Sequence, residues 1–435
     1  MNSHSVDIGL IGAGTIGCGV YKTISENKDI IEKRTGIRLR IKKVADIDIK
    51  RKRPVKIPRK LFTTDARELI DDENISIIIE LIGGTTAARE LVLAAIRSGK
   101  NVVTANKALL AHHGGEIFRE AAANGVHVAF EASVGGGIPI IKATHESYVA
   151  NNILSIHGIM NGTCNYILHN MSEQKKGFDE MLQRAQKEGY AEADPSFDID
   201  GIDAAHKLSI LIMLAYGFFP EFDDIYVEGI RNISSTDIGF AEQLGYKIKL
   251  LAIAKSTDSG VQAGVYPALI RKNTQLADVK DAFNAIHIVG DKVGPTMLYG
   301  MGAGMLPTAS AVVGDLVSIA KTAQNGSQPA PPMLYAEDAG HRTLVSTDGL
   351  SGRYYLRFQV EDKPGTLGKI TTILGKCGIS IESIIQQTRE TNGGEVPIII
   401  MTHESVEKSL RKALDRIRKS MTSVADAIFI RIEEI

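Results

Sequence analysis

The glycine motif GAGTIG, residues 12–17, limits the possible folds sharply, because it stands between the apolar segment VDIGLI and an amphipathic segment. A strand, such a motif and a helix in direct succession are typical of the first unit of a dinucleotide-binding fold. Gly12 would allow the tight turn, Gly14 would let the backbone approach a pyrophosphate, and Gly17 would let helix and strand pack closely. The helix N-terminus would offer N–H groups to the phosphates. A glycine turn without a ligand is the alternative interpretation.

The rest of the first 130 residues alternates short apolar runs with longer amphipathic stretches. The predicted buried strands include IKKVA, ISIIIELIG, NVVTA and VHVAF. This alternation predicts a parallel sheet with helices on both faces. We therefore expect an α/β protein whose first domain, residues 1–130, is a Rossmann-type nucleotide-binding domain.

The charges after the second predicted strand leave the kind of nucleotide open. Asp46 stands where an acid would bind the ribose hydroxyls of NAD, although it lies further along the chain than the usual interval of roughly 20 residues. The basic run 50–53, which includes Arg51, could instead bind the 2′-phosphate of NADP or form a solvated surface. The sequence therefore predicts NAD or NADP without deciding between them.

Two further domains are expected. Residues 131–304 mix strands with helical and loop stretches, and they predict an α+β domain. Since a nicotinamide-type site precedes it, this domain should supply the substrate pocket and the proton donor, and it is also the expected dimerisation domain. Residues 326–350 are rich in Gly, Pro and Ser and predict a linker. Residues 351–435 follow the order β-α-β-β-α-β, which is typical of a ferredoxin-like fold.

The composition excludes several classes of protein. Of the 435 residues, 44% are hydrophobic and 23% are charged, as in ordinary globular proteins, and a net charge of −1 argues against a nucleic-acid partner. The segment MNSHSVDIGLIGAG shows no pattern of a secretion signal, and no apolar run reaches eighteen residues, so we expect a cytoplasmic protein without a membrane contact. Three widely separated cysteines predict reduced thiols.

The segment AQKEGYAEADPSFDIDGIDAAHK, residues 185–207, is the richest in groups for proton chemistry. On a helix, the step from Asp203 to Lys207 puts both side chains on one face. A surface ion pair is the ordinary interpretation. However, hydride reduction of a carbonyl leaves a developing alkoxide, and a partly buried lysine held by a carboxylate can give it a proton. Lys207 is therefore the first candidate, and Lys107, at the end of a predicted strand, is the second.

Residues 185–207 resemble the signature of homoserine dehydrogenases, and every fixed position of that signature is filled. The resemblance extends over roughly residues 6–325 through ELIGG (80–84), TANKALL (104–110), EASVGGGIPII (131–141), GIMNGTCNYIL (158–168) and GMGAGMLPTASAVVGDL (300–316). It implies reversible, NAD(P)-dependent interconversion of L-aspartate 4-semialdehyde and L-homoserine, in the biosynthesis of threonine and methionine. A related enzyme for another aldehyde and a catalytically silent amino-acid sensor are the alternatives.

The resemblance also implies a role for each motif residue. Lys207 would give the proton to the aldehyde oxygen, and Asp203 would orient it or contact the substrate. Glu192 would bind the substrate's amino group, Asp198 matches another acidic position of the pocket, and Lys107 would lie near nicotinamide and substrate. Besides the glycine motif, Asp46 and Arg51, the expected cofactor contacts are Thr15, Ile16, Thr104, Lys107, Gly302 and Gly304. The helix over residues 305–325 would return to complete the first domain.

Two regulatory features are implied in the same way. Family members bind a monovalent cation, usually sodium, through a loop that matches Glu131, Val134, Gly136 and Ile138, although a simple glycine turn is the alternative. The segment VEDKPGTLGKI, residues 360–370, resembles an ACT domain. We therefore expect threonine feedback and a homodimer or homotetramer, the alternative being an ACT domain that only dimerises the enzyme.

Overall fold

The structure is a computed structural model, which describes residues 4–324, 343–386, 395–421 and 424–435. The chain forms two compact units. The first comprises Met1–Gly162, Asp203–Ile225 and Phe283–Thr343, and the second comprises Thr163–Ile202, Tyr226–Ala282 and Leu344–Ile435. Most of the predicted linker, residues 326–350, lies outside the described residues, and the predicted domain boundaries stay a prediction.

A parallel sheet of six strands forms the centre of the first unit. Its strands are β1 (His4–Ile11), β2 (Ile37–Ala45), β3 (Phe62–Thr63), β4 (Ile77–Glu80), β5 (Asn101–Thr104) and β6 (Val128–Ala129), in the order β3-β2-β1-β4-β5-β6. The helices between them are α1 (Thr15–Thr35), α2 (Arg67–Ile70), α3 (Thr86–Arg97) and α4 (Lys107–Asn124). This strand order is that of the Rossmann fold, so the predicted α/β class is confirmed.

The remaining elements follow in chain order. They are α5 (Ile140–Lys142), β7 (Ile153–Ile159), α6 (Gly162–Gln174), α7 (Phe178–Lys187), α8 (Ser196–Ile199), α9 (Ile202–Tyr216), β8 (Tyr226–Val227), α10 (Ser235–Gln243), β9 (Tyr246–Thr257), β10 (Gly260–Arg271), β11 (Phe283–Gly290), β12 (Gly294–Met301), α11 (Met305–Gln324), β13 (Ser351–Glu361), α12 (Thr366–Lys376), β14 (Ile381–Gln386), β15 (Glu395–Thr402), β16 (Ser405–Val406), α13 (Glu407–Ser420) and β17 (Val424–Glu433). No helix of the described residues is long and apolar enough to cross a membrane.

Helix α11 packs against the parallel sheet of the first unit. Val312 and Leu316 belong to the same buried apolar cluster as Ile8 and Leu10 of β1. Helix α9 is buried along its whole length from its second residue, Asp203, so its charged side chains stand in an apolar setting. Strands β7, β11 and β12 form an antiparallel ladder. These elements bring the glycine motif, α4 and α9 into one unit.

The second unit contains a long hairpin and the C-terminal α/β segment. Strands β9 and β10 pair along their full length, and β10 also pairs in parallel with β17. Strands β13, β14, β15 and β17 form an antiparallel sheet in the order β17-β13-β15-β14, and α12 and α13 pack their apolar faces on it. The predicted ferredoxin-like order is confirmed, with the two-residue strand β16 as an addition.

Candidate active site

The carboxylate of Asp203, in the first turn of α9, is the centre of a buried charged cluster. Its Oδ2 accepts hydrogen bonds from Lys207 Nζ at 2.7 Å and from Asn161 Nδ2 at 2.9 Å. Its Oδ1 lies 3.2 Å from Lys107 Nζ. The structure therefore brings together Asp203, Lys207 and Lys107, and it adds Asn161, which the sequence reasoning missed although it lies in the motif GIMNGTC.

The ammonium of Lys207 is held at two points. It donates to Asp203 and, at 2.6 Å, to the carbonyl oxygen of Met160. Lys207 is 8% exposed. An ammonium has three donors, and these contacts account for two of them. These two hydrogen bonds give the Lys207 ammonium a fixed orientation, which a solvent-exposed lysine would not have.

The balance of charge keeps the Asp203 carboxylate ionised. Burial by itself would raise the pKa of Asp203, but the ammonium groups of Lys207 and Lys107 outweigh it, and the pKa falls to about 2. The carboxylate is therefore negative at neutral pH and holds both lysines.

Local sequence explains why these side chains meet. Gly201 has a φ of 87°, which turns the chain just before α9. Asp203 then falls in the first helical turn, where a negative charge is favoured. Lys107 is the first residue of α4, and Asn106 caps that helix by accepting from the Leu109 N–H at 3.1 Å. Lys107 thus stands beyond the carboxyl end of β5, the usual ligand edge of a parallel sheet.

A histidine pair joins α4 and α9 one turn further along. His112 Nε2 lies 3.2 Å from His206 Nε2, and Phe222 packs on both rings. Burial lowers the pKa of His206 to about 4, and His112 and Lys107 contribute further. His206 is therefore neutral at physiological pH. The sequence offers no orienting partner for either histidine, so this pair was missed.

The glycine motif forms a tight turn in which strand, loop and helix backbones pack closely. Gly12 has a φ of 97°, and a Cβ there would lie 2.7 Å from the Leu81 carbonyl. A Cβ on Gly17 would lie 2.1 Å from the Gly12 carbonyl oxygen. Helix α1 begins at Thr15 without an acidic residue in its first turn, so its N-terminal dipole is not neutralised there. The glycines are required by a left-handed turn and a close backbone approach.

Acidic and basic side chains both converge on this motif. Asp46 Oδ2 accepts from the Ala13 N–H at 2.9 Å and lies 3.1 Å from Arg53 Nη2. Burial alone would raise the pKa of Asp46, but these partners and the Asp48 N–H lower it. Arg51 lies over the motif, with Nη2 3.4 Å from the place of a Cβ on Gly14. The geometry leaves the choice between NAD and NADP open.

The predicted cofactor residue Thr104 is buried, and it contacts the carboxylate of Glu80. Its hydroxyl donates to Glu80 Oε2 at 2.7 Å. Glu80 Oε1 accepts from the N–H groups of Ile82 at 2.9 Å and Gly83 at 3.2 Å. Glu80 therefore fixes the loop after β4, a role that its place in the motif ELIGG did not reveal.

The carboxylate of Glu131, a predicted cation ligand, is engaged with backbone. It accepts from the N–H groups of Ile141 at 2.8 Å and Lys142 at 3.0 Å. The Glu131 N–H donates to Asp315 Oδ2 at 2.8 Å. Burial raises the pKa of Glu131 to about 7 and that of Asp315 to about 6. The Glu131 carboxylate therefore already accepts one backbone hydrogen bond on each oxygen.

The other three predicted cation residues form a buried glycine loop. Val134 and Ile138 are buried, and Gly136 has a φ of 56°. A Cβ on Gly136 would lie 2.6 Å from the Gly302 carbonyl, and the Gly137 N–H donates to the Met301 carbonyl oxygen at 3.1 Å. The predicted cation loop and the predicted cofactor segment around Gly302 are thus in contact.

The two predicted substrate carboxylates lie in the second unit. Asp198 Oδ2 accepts from the Thr163 hydroxyl at 3.1 Å, and the Asp198 carbonyl accepts from Cys164 Sγ at 3.2 Å. Glu192 is exposed, and its carbonyl accepts from Gln186 Nε2 at 3.1 Å. In the C-terminal segment, Gly365 has a φ of 88° and directly precedes α12, as the predicted DKPG turn requires.

Comparisons with known proteins identify the family of this chain. Family models match the chain as the homoserine dehydrogenase NAD binding domain over residues 12–131, homoserine dehydrogenase over 139–317, and the ACT domain over 354–419. Homoserine dehydrogenase of Pseudomonas aeruginosa is 43% identical over 433 residues, which cover 99% of each chain. The enzyme of Neisseria gonorrhoeae is 43% identical, over 96% of this chain and 98% of its own.

Solved structures extend the agreement to three dimensions. A homoserine dehydrogenase from Thiobacillus denitrificans has a TM-score of 0.89 at 41% identity, over 99% of this chain and 98% of its own. A hyperthermophilic archaeal homoserine dehydrogenase in complex with NADPH has a TM-score of 0.62 at 26% identity, over 73% of this chain and 98% of its own.

The parallel sheet, the glycine motif and these matches define an NAD(P)-dependent oxidoreductase. More specifically, the chain belongs to the homoserine dehydrogenase family and carries a C-terminal ACT domain. The enzyme therefore belongs to amino-acid biosynthesis, as the sequence predicted.

Proposed function

We propose that the protein reduces L-aspartate 4-semialdehyde reversibly to L-homoserine with NADPH or NADH, and that Lys207 is the proton donor. The observation that carries this proposal is the buried ammonium of Lys207, held by Asp203 at 2.7 Å beside a second lysine, Lys107. A proton and a positive charge are what the oxygen of a carbonyl needs as it becomes an alkoxide.

Each residue of the cluster has a separate part in this reaction. Bound NAD(P)H supplies a hydride to the carbonyl carbon. Lys207 gives its proton to the carbonyl oxygen, and Asp203 keeps the ammonium in place. Lys107 adds positive charge beside the developing negative oxygen. In the direction of homoserine oxidation, Lys207 in its neutral form accepts the hydroxyl proton.

The nucleotide would be held by the first β-α unit. The left-handed turn at Gly12, the approach of helix to strand at Gly17 and the open N-terminus of α1 suit a pyrophosphate. Thr15, Ile16 and Gly14 follow in the same turn. We assign the remaining contacts to Asp46, Arg51, Thr104, Gly302 and Gly304, as the motifs predict.

Glu192 and Asp198 keep the substrate-binding roles that the signature predicts. The support for Asp198 is its fixed carboxylate, which the Thr163 hydroxyl contacts. Their substitution by the matching amides should raise the KM for L-homoserine more than it lowers kcat, because a carboxylate that binds an ammonium group acts on ground state and transition state alike.

A monovalent cation is proposed at the loop of Glu131, Val134, Gly136 and Ile138. The left-handed conformation at Gly136 turns the loop tightly, and carbonyl oxygens are suitable ligands for a hard cation. Activity measured while sodium, potassium or choline chloride is varied at constant ionic strength should depend on the cation. Equal rates in all three salts would contradict this part of the proposal.

The ACT domain is proposed to bind threonine and to pair in a homodimer or homotetramer. The turn before α12 presents N–H groups suited to an amino-acid carboxylate. Threonine should inhibit homoserine oxidation, and sedimentation should show a dimer or larger species. A dimer insensitive to threonine would leave the domain with an assembly role alone.

The main proposal is tested by following NAD(P)H absorbance. The rate with L-aspartate 4-semialdehyde should exceed that with other small aldehydes, with either nucleotide as the partner. A higher rate with another aldehyde would contradict the substrate assignment. The rates with NADPH and NADH give the cofactor preference.

A further inference from the structure

An asparagine outside the charged cluster, Asn284, carries an unusual buried amide. It is the second residue of β11, pairs with Gly300 of β12, and is 1% exposed. Within residues 4–324 and the other described ranges, neither its Oδ1 nor its Nδ2 has a hydrogen-bond partner. A buried unpaired amide destabilises a folded protein, so such a group calls for a functional explanation.

The amide lies directly against the backbone of the predicted cofactor segment. A Cβ on Gly302 would lie 1.8 Å from Asn284 Oδ1, so only glycine leaves room for this amide. Gly302 also meets the glycine loop of Gly136, where a Cβ would lie 2.6 Å from the Gly302 carbonyl carbon. The Gly302 backbone is therefore in close contact with the Asn284 amide and with a second glycine loop.

The same segment reaches the nucleotide motif through α11. The carbonyl oxygen of Met305, the first residue of α11, would lie 2.6 Å from a Cβ on Gly19 in α1. Gly304, with a φ of 120°, makes the turn into α11. The Gly302–Gly304 segment thus leads directly into the helix that packs on α1, the helix that follows the glycine motif.

We propose that Asn284 is a positioning residue for the nicotinamide nucleotide. Its amide forms hydrogen bonds with the peptide groups of Gly302–Gly304 when the nucleotide binds, and so fixes this segment against the nucleotide. This proposal rests on the cofactor placement proposed above. The nucleotide-free protein carries the cost of the unpaired amide, and nucleotide binding removes that cost.

The variant Asn284→Leu tests this, because it removes the polar atoms of the amide and keeps the branched shape of the side chain. The Tm of the nucleotide-free, full-length variant should equal or exceed that of the wild type. Its Kd for NADPH, measured by fluorescence titration, should rise roughly tenfold, the factor that corresponds to one amide hydrogen bond.

The matched control is Asn165→Leu. Asn165 is also 1% exposed, but its Oδ1 accepts from Lys249 Nζ at 2.8 Å and its Nδ2 donates to the Asp281 carbonyl at 2.8 Å. Its replacement should lower the Tm and leave the Kd for NADPH unchanged. The two variants therefore separate an amide used for folding from an amide used for nucleotide binding.

A Kd for NADPH that rises equally in Asn165→Leu would show a general structural effect and would overturn the proposal. An unchanged Kd of Asn284→Leu would overturn it as well. If leucine prevents folding, Asn284→Ala serves in its place: a roughly tenfold rise in the Kd supports the proposal, and an unchanged Kd rejects it. Failure of the wild type to bind either NADPH or NADH would instead refute the proposed function.

Discussion

Two buried charged clusters, one in each unit, use different cations around a carboxylate. In the first unit, Asp203 is held by Lys207 and Lys107. In the second unit, Glu407 is held by Arg431, which binds it through two nitrogens at 2.8 and 2.6 Å, and by Arg411. Within the described residues, the cations that contact Asp203 are lysines and those that contact Glu407 are arginines.

Lysine and arginine differ in whether they can transfer a proton, and this difference distinguishes the two clusters. A guanidinium does not lose its proton in proteins, and its planar fork suits a fixed bidentate pair. Arg431 also stacks on aromatic rings, 4.2 Å from the centre of Tyr266 and 4.6 Å from that of Tyr226. Burial lowers the pKa of a lysine, so a buried lysine, unlike an arginine, can exchange its proton. We therefore assign proton transfer to the Asp203 cluster and structural support to the Glu407 cluster.

The largest expected effect is on catalysis by Lys207. Lys207→Met removes the proposed proton donor, and Lys207→Arg keeps the positive charge while the proton of its guanidinium is not released. Both variants should lower kcat by roughly 10²–10⁴-fold, the usual contribution of a general acid. Steady-state rates of NADPH oxidation with L-aspartate 4-semialdehyde give the measurement.

The exposed lysine Lys321, on α11, provides the control. Lys321→Met should keep the wild-type rate. If Lys207→Arg were as active as the wild type, charge alone would suffice, and the distinction between the two clusters would be lost.

The next effect is on the stability of the second unit. Arg431→Met leaves the fully buried Glu407 with one partner fewer and should lower the free energy of unfolding by roughly 3–5 kcal/mol, as urea denaturation measures. The double variant Arg431→Met, Glu407→Gln should be less destabilised than the single variant, because no charge is then left poorly paired. A loss below about 1 kcal/mol would place this cluster among ordinary surface ion pairs.

The third prediction concerns the pH dependence that Asp203 gives to stability. Its pKa is lowered from the ordinary 3.8 to about 2, because two lysines outweigh the effect of burial. A lowered carboxyl pKa adds stability that is present above the ordinary value and is lost as pH falls through the folded value. The shift corresponds to about 2 kcal/mol, of which about 1 kcal/mol should be lost between about pH 6 and pH 3.

Asp203→Asn should lack this component. Urea unfolding of both proteins at the two pH values gives the comparison, and the loss on acidification should be smaller for Asp203→Asn by that amount. Equal losses would show that the lysines do not control the ionisation of Asp203.

Part of this arrangement could be predicted from the sequence and part could not. The glycine motif and the alternation of apolar segments predict the parallel sheet, because both can be recognised from residues that are close together in the sequence. The helical step from Asp203 to Lys207 predicts their contact for the same reason. Partners from distant segments, such as Asn161 on Asp203 or Asn284 against Gly302, leave no local pattern. Arginine and glutamate in the second unit resemble solvated charges until tertiary packing brings them together.

The smallest expected effect tests an arginine that is exposed rather than buried. Arg51 lies over the glycine motif with its guanidinium 3.5 Å from the Ala13 carbonyl, and it has no aromatic or bidentate partner among the described residues. If Arg51 contacts the 2′-phosphate of NADP, Arg51→Ala should raise the KM for NADPH about fivefold, which corresponds to about 1 kcal/mol for an exposed ionic contact. The KM for NADH should stay unchanged. A parallel rise of both KM values would indicate a contact with the pyrophosphate that the two nucleotides share. If the KM change for NADPH, converted to free energy, equalled the loss of unfolding free energy in Arg431→Met, exposure would not set the strength of these arginine contacts.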